Sequence, residues 1–459
     1  MTSASRADLS LTSPPEISVR DSHNRAMQIN TYTTADEAVK LIKSGDHVFV
    51  QGSSSIPEAL IAALARRGNE LRDVILYNAF ALGRRVSPLC KPELKDSFLI
   101  DSFFVSNAVR GWVNQGYATT TPRFFGQVPQ LFREGSIHLD VALINCSLPD
   151  ENGFVSFGVS ADLTPAAVEC AKIIIAQINP LMPFTYGDSV IHMSRIDALV
   201  EVHDPLAETP DLEPTEKELA IGRHIAEQIP DGATLQIGIG AIPNAVLHSL
   251  GDHRHLGLHT EAMTDGMIEL IESGVVDNSR KQVEPGRSVA SLALGTRRLY
   301  DFIDHNRAVL FRDIAWVNDP FVIAQNHNMA AINSALEIDL SGQVCADSIG
   351  TRIYSGVGGQ QDFVYGSSRS VGGQSFIAML STTSKGENKI KPILTPGAGV
   401  VTTRFQTNWV VTEHGAVNLR GRNMIDRARL LISIAAPEFR EELDRAAFDM
   451  LGYAYRRWR

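Results

Sequence analysis

Residues 46–64 read DHVFVQGSSSIPEALIAAL and residues 232–250 read GATLQIGIGAIPNAVLHSL, and the two align without a gap at a displacement of 186 residues. Gly52 falls on Gly238, Ile56 on Ile242, Pro57 on Pro243, Ala59 on Ala245 and Leu64 on Leu250. Each copy runs from a β-rich apolar strand into a glycine loop, then Ile-Pro, then an amphipathic helix. In the first helix Leu60, Ala63 and Leu64 share one face, the spacing of a helix that covers a core. Proline suits the first helical position, where its missing N–H is not needed. A repeat of this length is no solenoid. It predicts two similar open α/β domains in tandem, and the 459 residues are more than one core accommodates. The seam falls near HDPLAETPDLEPTEKEL (203–219), rich in proline and acids, which divides the chain into domains over 28–215 and 216–459. Residues 1–27, polar and rich in Ser, Thr and Pro, read as a disordered N-terminal extension. Strand-like runs (Asp140–Cys146, QSFIAML, NWVVTEHG) alternate with helical ones, which predicts mostly parallel sheets covered by helices.

Composition narrows the function classes. A net charge of −10 disfavours nucleic acid as a partner, because phosphate binding needs a clustered basic face. No window approaches the ~20 apolar residues of a membrane helix, and the N-terminus lacks an apolar signal core, so a cytoplasmic protein is expected. Cys90, Cys146, Cys170 and Cys345 form no C-x-x-C pair, which fits a reducing compartment without structural zinc or disulfides. The histidines offer no convincing metal pair, so no metal site is expected; His259 and His414 read as structural.

The candidate chemistry lies in two glycine loops and one acid. The loop GIGAIP places Gly238 and Gly240 where backbone amides can approach a ligand, with a helix N-terminus behind them that favours negative charge. About twenty residues on, the strand LGLHT ends at Glu261, at the carboxyl edge where open α/β sheets hold ligands. Glu269 and Glu272 fall instead on the outer face of the following helix, whose apolar face is Met267, Leu270 and Ile271 and whose stop is Gly274. Two bland or rival readings stand beside a catalytic Glu261. It could cap the next turn through the Thr264 or Asp265 amides, worth about 1 kcal/mol. Strand, G-x-G, helix, strand, acid is also the layout of a dinucleotide-binding oxidoreductase. Against the latter, Pro243 stands where the third glycine belongs, and the first copy ends its strand on Asn78 and Ala79 with no acid. A second glycine loop spans 354–376, with Gly356, Gly358 and Gly359 able to present amides to a pyrophosphate or an oxyanion. Near the end, NWVVTEHG repeats the strand-to-glutamate theme with Glu413, a competitor or partner of Glu261.

Taken together, GIGAIPNAVL, LGLHTEAMTDGMIELIESGVV, INSALEIDLSGQV, GVGGQQDFVYGS and VVTEHGAVNLRGR make the chain resemble the acetyl-CoA hydrolase/transferase family, with 4-hydroxybutyrate and butyryl-CoA:acetate CoA-transferases among its members. DVALINCSLPDENGFVSFGVS and IAAPEFREEL extend the resemblance over about residues 28–456, and an itaconate- or butyrate-activating branch looks nearest. The resemblance implies a pair of α/β CoA-transferase domains with the active site between them. It puts Glu261 on the catalytic glutamate, Gly238, Ile239, Gly240, Ala241 and Ile242 on the CoA-contacting loop, and the Ile239 amide on an oxyanion donor. Gly358, flanked by Gly356 and Gly359, falls on the second oxyanion and CoA glycine, and Asn318 and Glu413 fall on the acyl pocket. It implies coenzyme A as a substrate with no permanently bound cofactor, acyl-CoA and a small carboxylate as partners, and a homodimer or homotetramer. One departure is Gln374, where the family usually has lysine. The expected activity is CoA transfer through a glutamyl-CoA thioester; a thioester hydrolase using the same site and an idle CoA-binding protein are the alternatives.

Overall fold

The strand Val141–Cys146 has every residue buried, and its side chains alternate between two apolar clusters. Val141 and Leu143 enter one, while Ala142, Ile144 and Cys146 enter the other. That is the signature of a strand covered on both faces, and it places this strand inside a parallel sheet. The computed structural model describes residues 32–81 and 86–457; the N-terminal extension expected over 1–27 lies outside them.

Seven parallel strands form the first sheet: β1 (His47–Val50), β2 (Val74–Asn78), β3 (Phe98–Ser102), β4 (Ala118–Thr119), β5 (Val141–Cys146), β6 (Ile173–Ile178) and β7 (Ala198–Glu201), in the order β7-β6-β5-β1-β2-β3-β4. The second sheet has six strands: β8 (Thr234–Ile237), β9 (Gly257–Leu258), β10 (Met329–Ser334), β11 (Gln374–Ala378), β12 (Trp409–Thr412) and β13 (Gly415–Asn418), in the order β9-β8-β10-β11-β12-β13. All its pairs are parallel except the terminal hairpin β12–β13. The fold is thus α/β with mostly parallel sheets. No helix among the described residues is long and apolar enough to cross a membrane.

The two copies of the repeat meet their helices differently from the expectation at proline. Pro57 is the cap residue before helix α1 (Glu58–Arg66), and Pro243 is the third residue of helix α2 (Ala241–His248), so neither sits at the first helical position. At the cap and at the third helical residue alike, no intrahelical N–H bond is lost. Several bonds join the halves. Tyr186–Gly187 pairs with Val309–Phe311, which pairs with Ser288–Ala290. The Ala161 amide donates to the Ser291 carbonyl, and the Tyr300 hydroxyl donates to Ser54 Oγ.

Candidate active site

The strand expected to run from 256 into Glu261 is shorter: β9 holds only Gly257 and Leu258, and after a single bridge from His259 to Val289 the next strand is the two-residue Ala262–Met263. Between them the backbone is pinned. The His259 amide bonds to Leu235, the Thr260 amide bonds to Val289, and the Glu261 carbonyl accepts from both Ser291 and Leu292 amides. Lys281 reinforces this from beneath, its buried Nζ donating to the Leu258 and Arg287 carbonyls at 2.6 Å each. Burial pulls that ammonium down to about 7. His259 is a packing residue, fully buried against the Trp316 ring with Nε2 bonded to the Val317 carbonyl, and burial lowers it to about 3.

With its backbone fixed on both sides, Glu261 turns its half-buried carboxylate into a cavity of about 100 Å³. Asn318 Nδ2 donates to Glu261 Oε2 at 2.8 Å, and the Gly359 amide is a second donor. The carboxylate therefore does not cap the following helix α3 (Asp265–Glu272), whose Thr264 cap makes no side-chain bond. On that helix Glu269 and Glu272 are exposed and pair with Arg298. Burial pushes Glu261 up to about 7. Asn318 opposes that shift, while the nearby Asp362 and Asp162 carboxyls add to it.

Both glycine segments reach the same cavity. Gly238 and Ile239 line it, with the Ile239 side chain exposed at the loop tip. Gly240, at φ 114° and ψ −176°, makes the turn into helix α2, a conformation closed to other residues, and Ala241 and Ile242 open that helix. The segment 354–376, read as one long loop, contains a ten-residue helix, α4 (Gln360–Arg369), and Gly359 is its cap. A Cβ on Gly359 would overlap Glu261 Oε2 and Asn318 Nδ2, so only glycine lets this helix end approach the carboxylate. Gly358 lies beside the Phe104 ring and Gly356 lies on the backbone of Phe103 and Phe104, behind the cavity wall. Among the described residues, the Ile239 and Gly358 amides donate to no backbone carbonyl.

Glu413 is not brought to this cavity. It follows β12, three strands from β8 and so about 14 Å along the sheet. Its carboxylate accepts from the Ser381 amide and hydroxyl, with Lys217 Nζ at 3.6 Å and His414 beside it. Burial works against its charge, yet those Ser381 bonds hold it below the usual carboxylate range. Gln374 is turned inward, bonding the Gln228 carbonyl and the Trp409 indole. Sequence reasoning missed the aromatic wall of Phe80, Phe104, Phe125 and Phe363, and it missed the acids Asp362 and Asp162. The aromatics come mostly from the first half, whose loops carry no signal of their own. Asp362 lies in the run GVGGQQDFVYGS, where no spacing marks it out.

Comparison with known proteins bears on the whole of this arrangement. Models for the N-terminal and C-terminal domains of acetyl-CoA hydrolase/transferase match residues 19–208 and 295–447. Glu261 and the Gly238 loop fall between the matched segments. The chain is 44% identical to the 4-hydroxybutyrate coenzyme A transferase of Clostridium kluyveri over 89% of this chain and 95% of that protein. It is also 44% identical to a succinyl-CoA:acetate/propanoyl-CoA:succinate CoA transferase of Fasciola hepatica, over 91% and 88%. The crystal structure of RipA from Yersinia pestis superimposes with a TM-score of 0.86 at 36% identity, covering 91% of this chain and 97% of that one. The paired α/β sheets, the doubled glycine loop and the relatives' near-complete coverage lead to one conclusion: the chain belongs to the acetyl-CoA hydrolase/transferase family.

Proposed function

We propose that this protein is a CoA-transferase, moving coenzyme A from an acyl-CoA to a small carboxylic acid through a covalent thioester on Glu261. The observation that carries this reading is the setting of one carboxylate: anchored on both sides of the backbone, held by Asn318 and Gly359, and lodged between two glycine segments. The relatives named as CoA-transferases support the reaction class.

Exchange of CoA between carboxylates needs a relay that can hold either partner. The ionised Glu261 carboxylate attacks the thioester carbonyl, the C–S bond breaks, and an acyl-glutamyl anhydride forms with CoA thiolate as the leaving group. The thiolate then attacks the glutamyl carbonyl, expelling the first acid as its carboxylate and leaving Glu261 as a CoA thioester. The acceptor carboxylate runs the two steps in reverse. A carboxylate is a weak nucleophile in water, but fixing it within about 3 Å of the carbonyl gives a large effective concentration. Each step passes through a tetrahedral oxyanion, for which the Ile239 and Gly358 amides are the donors in this reading. Losing one such donor costs about 3–4 kcal/mol. A small cavity walled by Phe80, Phe104 and Phe125 favours a short acyl chain with an apolar body.

Incubation with acyl-CoA, reduction with borohydride and mass analysis of the peptide holding Glu261 tests the relay. Conversion of that side chain to an alcohol is expected. CoA exchange proceeding beside an unmodified Glu261 would remove it from the mechanism. Glu261→Ala is expected to lower the exchange rate by about four orders of magnitude, as removal of a nucleophile does elsewhere.

A further inference from the structure

We infer that Asp362 is the positioning residue of this site, its buried carboxylate turning the NH2 end of Asn318 toward Glu261 and setting a like charge beside the nucleophile. The inference rests on the reading of Glu261 as the nucleophile and assigns a role to a neighbour that the relay itself does not use.

Asp362 is the third residue of helix α4 and is almost wholly buried. Its Oδ2 accepts from the Gly126 amide at 3.0 Å and faces Asn318 Nδ2 at 3.4 Å. The same Nδ2 donates to Glu261 at 2.8 Å, so one amide group serves two carboxylates. Asn318 Oδ1 is buried and has no partner among the described residues. A carboxamide can be turned either way about its last torsion. Here the reversed orientation would set Oδ1 against two carboxylate oxygens, so Asp362 biases Asn318 toward donation. That bias matters most when Glu261 is esterified. Its carbonyl is then a neutral, weaker acceptor, and Asp362 still holds the donor where an oxyanion forms on the glutamyl carbon. Gly126 makes the joint possible from the first half of the chain, since a Cβ there would lie 2.7 Å from Asn318 Cβ. Beside it the Phe125 amide bonds the Gly358 carbonyl.

The charge acts alongside the geometry. Glu261 is faced by Asp362 and Asp162; Asp319 adds to the field at Asp362, and Asp313 to that at Asp162. Arg133, which reaches Asp313, is taken up by Asp313 and Glu169, and Arg312 is taken up by Asp188 and Glu284. Burial brings Asp362 to about 7, and Glu261 sits at about the same value. Repulsion between the two carboxylates raises the free energy of the free nucleophile and vanishes when Glu261 becomes a neutral ester, so it favours acylation.

The test uses the full chain carrying Asp362→Asn or Asp362→Ala. Asparagine can still accept from Gly126 through its side-chain oxygen but carries no charge. For Asp362→Asn, the acid limb of kcat/KM is expected to move to lower pH by about one pH unit. For Asp362→Ala, kcat is expected to fall about a hundredfold while KM for acyl-CoA stays within about threefold, the mark of misplaced groups rather than lost binding. A pH profile of Asp362→Asn superimposable on that of the wild type overturns the inference, whether or not the alanine variant folds. Borohydride labelling of Glu261 in the unaltered protein separates the two readings. A labelled Glu261 with an unmoved profile sinks the role of Asp362 alone, and an unlabelled one sinks the relay beneath it.

Discussion

Glu261 is held in the folded chain at a thermodynamic disadvantage that can be measured without substrate. Its folded pKa, about 7, lies above the ordinary carboxylate value because burial disfavours the charge. The native state therefore binds the proton more tightly than the unfolded chain does, and this group's contribution to stability falls as pH rises from about 4.5 to about 7. Glu261→Gln keeps the shape and a hydrogen-bonding oxygen but removes the titration. It is expected to melt above the wild type at pH 8, with the difference shrinking by pH 5; equal gaps at both would contradict the buried-charge account. The sequence exposed this residue because an acid closing an apolar, strand-like run is unusual and the first copy has none at the matching place. It could not expose Asp362 or Asp162, because nothing local distinguishes an acid that tertiary packing buries from one in solvent. For Glu413 the repeated strand-to-glutamate pattern was real, but the place of its strand in the sheet order carried it to Ser381 instead.

Helix α4 shows why an element can be hidden. Its sequence, QQDFVYGSSR, is flanked by glycines and contains Gly366, so local propensity argues for a loop. Gly366 is there for contact, since a Cβ would press on the Ile323 side chain, and Phe363 and Val364 are fully buried. Packing thus overrides propensity, and the helix end so placed supplies Gly359 and Asp362 to the site. The short strand β9 presents the opposite case, too brief to hold itself. Lys281 stands in for the missing ladder bonds by donating to the Leu258 carbonyl three residues before Glu261. Lys281→Met, which keeps the aliphatic packing over Gly257, is expected to destabilise the fold by about 1–3 kcal/mol through the unsatisfied carbonyls. The lysine's folded pKa is lowered to about 7, so the unfolded chain binds more protons above that pH and wild-type stability gains as pH rises toward 10.5. The variant lacks that gain, and the gap in unfolding midpoint between the two proteins should widen from pH 7 to pH 9.

Across the chain the duplication has divided the labour of one motif. The tandem α/β architecture and its parallel sheets were visible in the repeat, because strand, glycine loop and helix recur in both halves. The opposite fates of the two loops were not, since they depend on what packs over each. In the first half the loop Gln51–Ile56 is buried throughout. Gly52 lies so close to the Ala79 carbonyl that a Cβ would overlap it, and Ser54 is held by the Tyr300 hydroxyl from the other half. In the second half Gly238 has room, with a Cβ meeting only the Ile332 carbonyl at 3.6 Å and Pro243 at 3.8 Å, and the loop opens on the cavity. The first loop has become part of the joint between halves, and the second faces the cavity beside Glu261. The same substitution at these equivalent positions should therefore give opposite results. Gly52→Ala is expected to lower stability by about 1–3 kcal/mol, as overpacking against fixed backbone does. Gly238→Ala should leave it within about 0.5 kcal/mol, the range of a substitution that meets no clash. Thermal or denaturant unfolding of the two variants side by side decides the matter, and equal losses would mean that the loops still play equivalent parts.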